Sequence, residues 1–91
     1  MLWAANFLVA QTVVNITDKE VQKPISGSYV VAQNIEQKKV TSTSISSKLG
    51  LATLSANPPF VLVVSYPGYK TFIDTVNSSQ VSVELEFLSQ Q

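Results

Sequence analysis

The chain contains no cysteine, no histidine and no arginine. It therefore lacks a disulfide bond, a thiol nucleophile, a His–Cys zinc site and an imidazole base. Its six cations are all lysines and are balanced by six carboxylates, so there is neither a basic excess nor a guanidinium to contact a phosphate backbone. The three glycines, Gly27, Gly50 and Gly68, lie too far apart to build a phosphate-binding loop. These absences argue against nucleic-acid binding and against most common forms of catalysis.

The residues that are present have the composition of a small, packed β protein. The chain has 91 residues and a mass of 9.9 kDa, which is enough for a single domain. Hydrophobic residues make up 45% of it and charged residues only 13%. We assign residues 12–91 to this domain.

Residues 1–11 have a different character from the rest of the chain. The segment Met1–Gln11 is uncharged, largely apolar and ends in small residues. This pattern is typical of the hydrophobic and cleavage regions of a secretory signal, so we predict a truncated signal-peptide remnant cleaved after Ala10 or Gln11. A membrane-spanning helix needs about 20 apolar residues, so the segment is too short to span. The alternative interpretation is a short N-terminal strand or helix packed on the domain.

From residue 12 onward, apolar and polar residues alternate with the period of a β-strand. The alternation, broken by polar, proline and glycine residues, predicts a strand in each of the following segments: Thr12–Thr17, Ser28–Gln33, Val40–Ser47, Leu51–Leu54, Phe60–Tyr66, Lys70–Val76 and Gln80–Leu88. In the last strand we expect Val81, Val83, Leu85 and Phe87 to point inward. Short strands at this spacing are typical of an all-β sandwich or barrel, so the predicted fold class is all-β.

Acid–base chemistry or metal binding would have to come from carboxylates. Glu84 and Glu86 share one face of the last predicted strand, a spacing that superficially suits a glycosidase pair. That face is the solvent side, so we interpret both as solvated carboxylates. Asp18 and Glu20 in the first loop are a weak calcium signal, and a polar turn is the preferred interpretation. We therefore predict no catalytic residue, no metal ligand, no cofactor and no cofactor-binding residue.

Hydroxyl and amide side chains offer two further motifs. Ser47 lies directly beside Lys48, so the Ser-x-x-Lys spacing of an activated serine is missing. Asn15-Ile16-Thr17 and Asn77-Ser78-Ser79 match the acceptor pattern for N-glycosylation. Such short patterns arise often by chance, and we interpret both in that way.

Four aromatic residues, Phe60, Tyr66, Tyr69 and Phe72, lie close together in the sequence. They suggest either a stacking platform for carbohydrate or bases, or a part of the core with its adjoining corner. Because strands and a Pro-Gly turn bracket them, we prefer the structural interpretation. We expect Tyr69 to be a packing residue whose hydroxyl reaches backbone or solvent.

Several segments together resemble a known family. They are Val14-x-Ile16-x-Asp18, Pro24-Ile25-x-Gly27-x-x-Val30, Gly50-x-Ala52-x-Leu54 and Phe60-x-Leu62-x-Val64-Ser65-x-x-Gly68-Tyr69. Over Val13–Phe87 the chain is similar to the carboxypeptidase regulatory-like domain, and this resemblance implies a seven-stranded antiparallel Greek-key sandwich of the transthyretin (prealbumin) type. The chain departs from the family's usual pattern before Gly50, where Thr-Asp is common, and at Ala52, where an aromatic residue is usual. The hydrolase branch of transthyretin-like proteins relies on histidine and arginine, so the resemblance implies no enzyme activity here.

The resemblance also implies a setting and a function. In Bacteroidota such domains often follow a signal peptide at the start of TonB-dependent outer-membrane receptors, ahead of a plug and a barrel. We therefore expect a non-catalytic N-terminal module of a nutrient-uptake receptor, a fragment of a longer protein, on the periplasmic side of the outer membrane or secreted. Its expected partners are proteins: the receptor plug and barrel, the TonB machinery or a neighbouring lipoprotein. Membrane association is expected only through the remainder of the chain.

Edge strands are the expected contact surface for such partners, because they present unpaired backbone groups. The Ser/Thr-rich segment Val40–Ser47 and the terminal segment Gln80–Leu88 are the two candidates. The alternative function is that of a folding or stalk accessory domain of a secreted metallocarboxypeptidase or a surface adhesin.

Overall fold

In the computed structural model, residues 11–88 are described and form seven β-strands with no helix. The strands are β1 (Thr12–Asp18), β2 (Tyr29–Gln33), β3 (Val40–Ile45), β4 (Leu51–Leu54), β5 (Phe60–Ser65), β6 (Phe72–Val76) and β7 (Gln80–Leu85). The all-β prediction is confirmed, and each strand lies where the alternation predicted one. The predicted signal remnant over 1–11 lies outside the described residues except for Gln11. Residues 11–88 include no helix with the length and apolar character needed to cross a membrane.

The strands form two sheets, with the orders β4-β1-β7 and β3-β2-β5-β6. This partition differs from that of an immunoglobulin constant domain, in which the first, second, fourth and fifth strands share a sheet. Adjacent strands in each sheet are antiparallel with one exception, the parallel pair β1 and β7. The expectation of an antiparallel sandwich is therefore wrong for this pair. A parallel pair needs a crossover between its strands, and here the chain passes through the other sheet between β1 and β7.

The inward faces of both sheets share one hydrophobic cluster. Val14 and Ile16 of β1 are fully buried, as are Leu62 and Val64 of β5 in the opposite sheet. Burial alternates along these strands because successive side chains point to opposite faces. Two sheets that bury their inner faces against each other make a β-sandwich.

The end of the chain departs from the predicted inward pattern at Phe87, which is 56% exposed. The strand β7 ends at Leu85, and the next residues pair with the segment before β6 in the other sheet. The Lys70 N–H donates to the Glu86 carbonyl at 2.9 Å, and the Leu88 N–H donates to the Gly68 carbonyl at 2.8 Å. Because the chain leaves its sheet after Leu85, the alternation stops there and the inward prediction for Phe87 is wrong.

The turn before β4 needs a glycine. Gly50 has φ of 77°, and its carbonyl accepts the Ile16 N–H at 2.7 Å. A Cβ atom at this position would lie 2.5 Å from the Ile16 carbonyl oxygen and 2.9 Å from the Pro24 Cβ. Close approach to β1 therefore adds to the conformational requirement for glycine.

Buried hydroxyl groups of Ser28 and Ser46 link the start of β2 to the end of β3 and to Ile25. The Ser46 Oγ donates to the Ile25 carbonyl at 2.7 Å and accepts the Ser28 N–H at 2.9 Å. The two serine hydroxyls lie 2.8 Å apart. These partners satisfy polar groups that would otherwise be buried without a hydrogen bond.

Candidate functional site

The first loop, which carries the calcium candidates, is organised around Asp18 at the end of β1. One oxygen of its carboxylate, Oδ1, accepts the N–H of Glu20 at 2.8 Å and that of Val21 at 3.1 Å. The other oxygen, Oδ2, accepts the Tyr69 hydroxyl at 2.5 Å. One oxygen thus stabilises the turn, and the other holds the side chain of Tyr69. The turn agrees with the polar-turn interpretation of Asp18. Tyr69 does not follow its prediction, because its hydroxyl donates to a carboxylate rather than reaching backbone or solvent.

This hydrogen bonding perturbs both ionisable groups. The Tyr69 hydroxyl, followed by the N–H groups of Val21 and Glu20, lowers the pKa of the Asp18 carboxyl below its ordinary value of 3.8. The Asp18 carboxylate accepts the hydrogen bond from the Tyr69 hydroxyl and so raises the pKa of that hydroxyl above its ordinary value of 10.0. Across the described part of the chain, no three His, Cys, Asp or Glu side chains are grouped so that they would hold a metal ion.

The predicted glutamate pair lies on the exposed side of β7 and just beyond it. The Oε2 of Glu84 accepts the Gln22 Nε2 group at 2.9 Å. Glu84 and Glu86 both line a shallow depression of about 260 Å³ next to Phe72, and Glu84 also lines a larger one of about 540 Å³. Both depressions are open to solvent, and both glutamates are exposed as predicted.

The aromatic residues divide between the core and the corner beside Asp18. Phe60 is 3% exposed and belongs to the core, whereas Tyr66, Tyr69 and Phe72 pack against its edge. The Tyr69 ring lies 5.8 Å from that of Tyr66 and 5.3 Å, edge to face, from that of Phe87. This arrangement agrees with a core and corner interpretation and leaves no row of parallel exposed rings.

The remaining sequence candidates have simple surroundings. The Ser47 Oγ accepts the Leu49 N–H at 3.2 Å and so stabilises the turn before β4. Asn15 and Asn77, the acceptor residues of the two glycosylation patterns, are both exposed.

The feature that sequence reasoning missed is the outer face of the four-stranded sheet. We use this name for the strand side chains that point away from the core: Tyr29, Val31, Gln33, Val40, Thr43, Ile45, Val61, Val63, Ser65, Ile73 and Thr75. None of them is charged. Tyr29, Val40, Ile45 and Ile73 are 50%, 57%, 64% and 66% exposed. Exposed apolar side chains grouped on one face make this face the candidate surface for contact with another molecule.

The other sheet presents a more polar surface. Its outward side chains include Asn15, Thr17, Ser82 and Glu84, which also line the larger depression. A polar outer face over an apolar inner face is what a sheet with one side in water shows. The contrast places the unusual surface on the four-stranded sheet.

The four edge strands of the sandwich also differ from one another. The strand β4 has only four residues, β6 contains Asp74, and β7 contains Glu84. Short length and charge both discourage pairing with another chain. The strand β3 has six residues with neither charge nor proline, and its pairing with β2 shifts register only near its start, opposite Ala32 and Gln33. It is the least protected edge in the described fold.

No family model matches this chain, and no curated protein matches it in sequence. The fold class is that of a seven-stranded, two-sheet all-β protein.

Proposed function

We propose that the chain is a non-catalytic protein-interaction module of the carboxypeptidase regulatory-like type, with a Greek-key, transthyretin-like sandwich. The observation that carries the proposal is the uncharged outer face of the four-stranded sheet, which exposes Tyr29, Val40, Ile45 and Ile73. Burying such a surface against a partner is favourable by about 25 cal/mol for each Å² of apolar area removed from water. A binding role explains why these side chains are apolar.

The setting we propose is the N-terminal part of a TonB-dependent outer-membrane receptor, on the periplasmic side. The support is the resemblance over Val13–Phe87 together with the apolar segment Met1–Ala10 that precedes it. In this setting the outer face contacts a protein: the receptor plug, the TonB machinery or a neighbouring lipoprotein. The module itself needs no cofactor for such a role.

The non-catalytic part of the proposal is supported by the chain's chemistry. The whole sequence has no histidine, cysteine or arginine. The carboxylate of Asp18 is committed to a turn and to Tyr69. A hydrolytic activity that disappears on replacing one serine or one carboxylate would contradict this part.

The test is a titration of the ¹⁵N-labelled 91-residue chain, first with a purified periplasmic fragment of TonB and then with the plug encoded by the same reading frame. We expect resonances of the outer face to shift with one of them. The variant Ile73→Lys places a charge on this face and should weaken binding. The matched control Thr53→Lys adds the same charge to an exposed position of β4 and should not.

The reading frame around these residues provides an independent test. Plug and barrel sequences downstream are the expected result. A catalytic domain with zinc ligands beside the module would instead favour an accessory role in a secreted metallocarboxypeptidase. In the titrations, resonances of the outer face that stay unperturbed would exclude this face as the contact surface.

A further inference from the structure

The outward edge of β3 offers a regular set of backbone hydrogen-bonding groups. The Ser46 N–H donates to the Ser28 carbonyl at 3.0 Å, and β3 then pairs with β2 without interruption from Ile45 back to Ser42. Hydrogen-bonded and non-hydrogen-bonded positions alternate in an antiparallel pair, so Thr43 and Ile45 direct their N–H and C=O groups away from β2. Since β3 ends its sheet, no strand within residues 11–88 pairs with these groups.

Side chains along this edge define what a partner strand would contact. A strand added to β3 places alternate residues on the outer face, beside Ile45, which is 64% exposed, and one strand away from Tyr29. Its intervening residues lie on the same side as Ser42 and Ser44, which are half-buried. The edge therefore fits an extended segment in which apolar residues alternate with small polar ones.

Lysines flank β3 at both ends. Lys38 and Lys39 directly precede the strand, and Lys48 follows it in the turn before β4; all three are exposed. Glu36 lies earlier in the first of these turns, which leaves that end with a net positive charge. Acidic residues at the two ends of an added strand would meet this positive charge, which favours the encounter and fixes the register.

The same lysines disfavour a second copy of this chain as the occupant. Two-fold pairing of β3 with β3 of another copy is antiparallel, so Lys39 of each copy would approach Lys48 of the other. Like charges at opposed positions destabilise strand pairing. Charge complementarity therefore favours a partner strand with acidic ends over self-association.

From these observations we infer that the open edge of β3 binds an extended segment of a partner protein by strand addition. The segment alternates apolar and small polar residues and carries acidic residues at both ends. This inference rests on the proposed function as an interaction module, and it identifies the contact edge and the chemistry of the partner.

The test uses the ¹⁵N-labelled 91-residue chain and a synthetic peptide of alternating valine and threonine with glutamates at both ends. The matched peptide has lysines in place of the glutamates. We expect the acidic peptide to shift the amide resonances of Thr43 and Ile45 and to bind roughly fivefold or more tightly than the lysine peptide, because two exposed ion pairs replace two repulsions. Added salt should narrow this difference through screening.

Two variants connect the binding to the edge. Lys39→Glu combined with Lys48→Glu should reverse the peptide preference, whereas the control Lys23→Glu with Lys70→Glu makes the same change in net charge elsewhere and should preserve it. Thr43→Pro should abolish the shifts, because it removes an outward N–H without removing a bond to β2. A native amide spectrum of each variant establishes that it is folded.

Equal affinity for the two peptides would overturn the inference, and so would shifts that map to β6 or β7. Concentration-dependent shifts along β3 without peptide would overturn it in favour of a second copy. The outcome is separable from that of the proposed function. If the peptide binds at β3 but neither the TonB fragment nor the plug binds, the edge is supported as a binding site and those two proteins are excluded as partners. If either protein binds while the β3 resonances stay unperturbed, the proposed function is supported and the β3 edge is excluded as the contact.

Discussion

A methyl group added at Gly50 has no room, whereas one added at Gly27 has. The two glycines have similar φ values, 77° and 85°. A Cβ at Gly50 would lie 2.5 Å from the carbonyl oxygen of Ile16, a backbone atom of the central strand β1. At Gly27 the nearest atom would be the Tyr66 Cε1 at 3.7 Å, which is an ordinary contact. Alanine would therefore strain the backbone at both sites, but only at position 50 would its Cβ atom also clash with neighbouring atoms.

The magnitudes follow from these two terms. Holding alanine in the left-handed region costs about 1–2 kcal/mol, so Gly27→Ala should lower the free energy of unfolding by that amount. Overpacking against atoms that cannot move away adds about 1–3 kcal/mol, so Gly50→Ala should lower it by about 2–5 kcal/mol. The loss is a large fraction of the roughly 5–15 kcal/mol that stabilises a small domain.

Urea denaturation followed by far-ultraviolet circular dichroism measures the difference. With an unchanged slope, the midpoint of Gly50→Ala should lie about 1–2 M below that of Gly27→Ala. If the two variants unfold at the same urea concentration, the close approach of this turn to Ile16 and Pro24 does not exist in solution and the packing argument is refuted.

Other predictions concern the core, the buried hydroxyls and the Asp18 turn. Leu62→Ala should lower the free energy of unfolding by about 2–5 kcal/mol, and the exposed control Ile73→Ala by less than about 0.5 kcal/mol; equal losses in urea denaturation would contradict the burial pattern. Ser46→Ala should cost about 1–3 kcal/mol, because it leaves buried hydrogen-bond partners unpaired, and a neutral effect would exclude that network. Tyr69→Phe should raise the pKa of Asp18 toward 3.8 in a carboxyl NMR titration. Because a lowered pKa contributes stability that is lost as pH falls through the folded-state value, the variant should also lose less stability on acidification; an unchanged pKa would exclude the hydrogen bond.

The alternation of apolar and polar residues made the positions of the strands predictable from the sequence. The strand β4 has the predicted bounds, Leu51–Leu54, because its residues alternate and a glycine precedes it. The parallel pairing of β1 with β7 was not predictable in this way. The period of two specifies which face a residue occupies, but it carries no information on which distant strand becomes its neighbour.

The site was harder to predict for two physical reasons. Asp18 and Tyr69 are 51 residues apart, so their hydrogen bond depends on the arrangement of both sheets. The run Phe60–Val64 in β5 is apolar at every position, so the sequence gives no sign that its two faces differ. Only one face meets the core, and the run's other residues, such as Val61 and Val63, belong to the outer face. The sequence signal that could have revealed the outer face is the lack of charged residues at the outward positions of all the strands in this sheet.

The parallel pairing of β1 with β7 has a consequence for how the chain folds while it is being synthesised. The first strand leaves the ribosome well before its last neighbour, since about 60 residues separate Asp18 from Gln80. At the usual rate of synthesis this is a delay of about 3–12 s, far longer than a hairpin such as β2–β3 needs to form. During that interval one side of β1 has no neighbour, so a nascent chain is exposed to mispairing until β7 emerges.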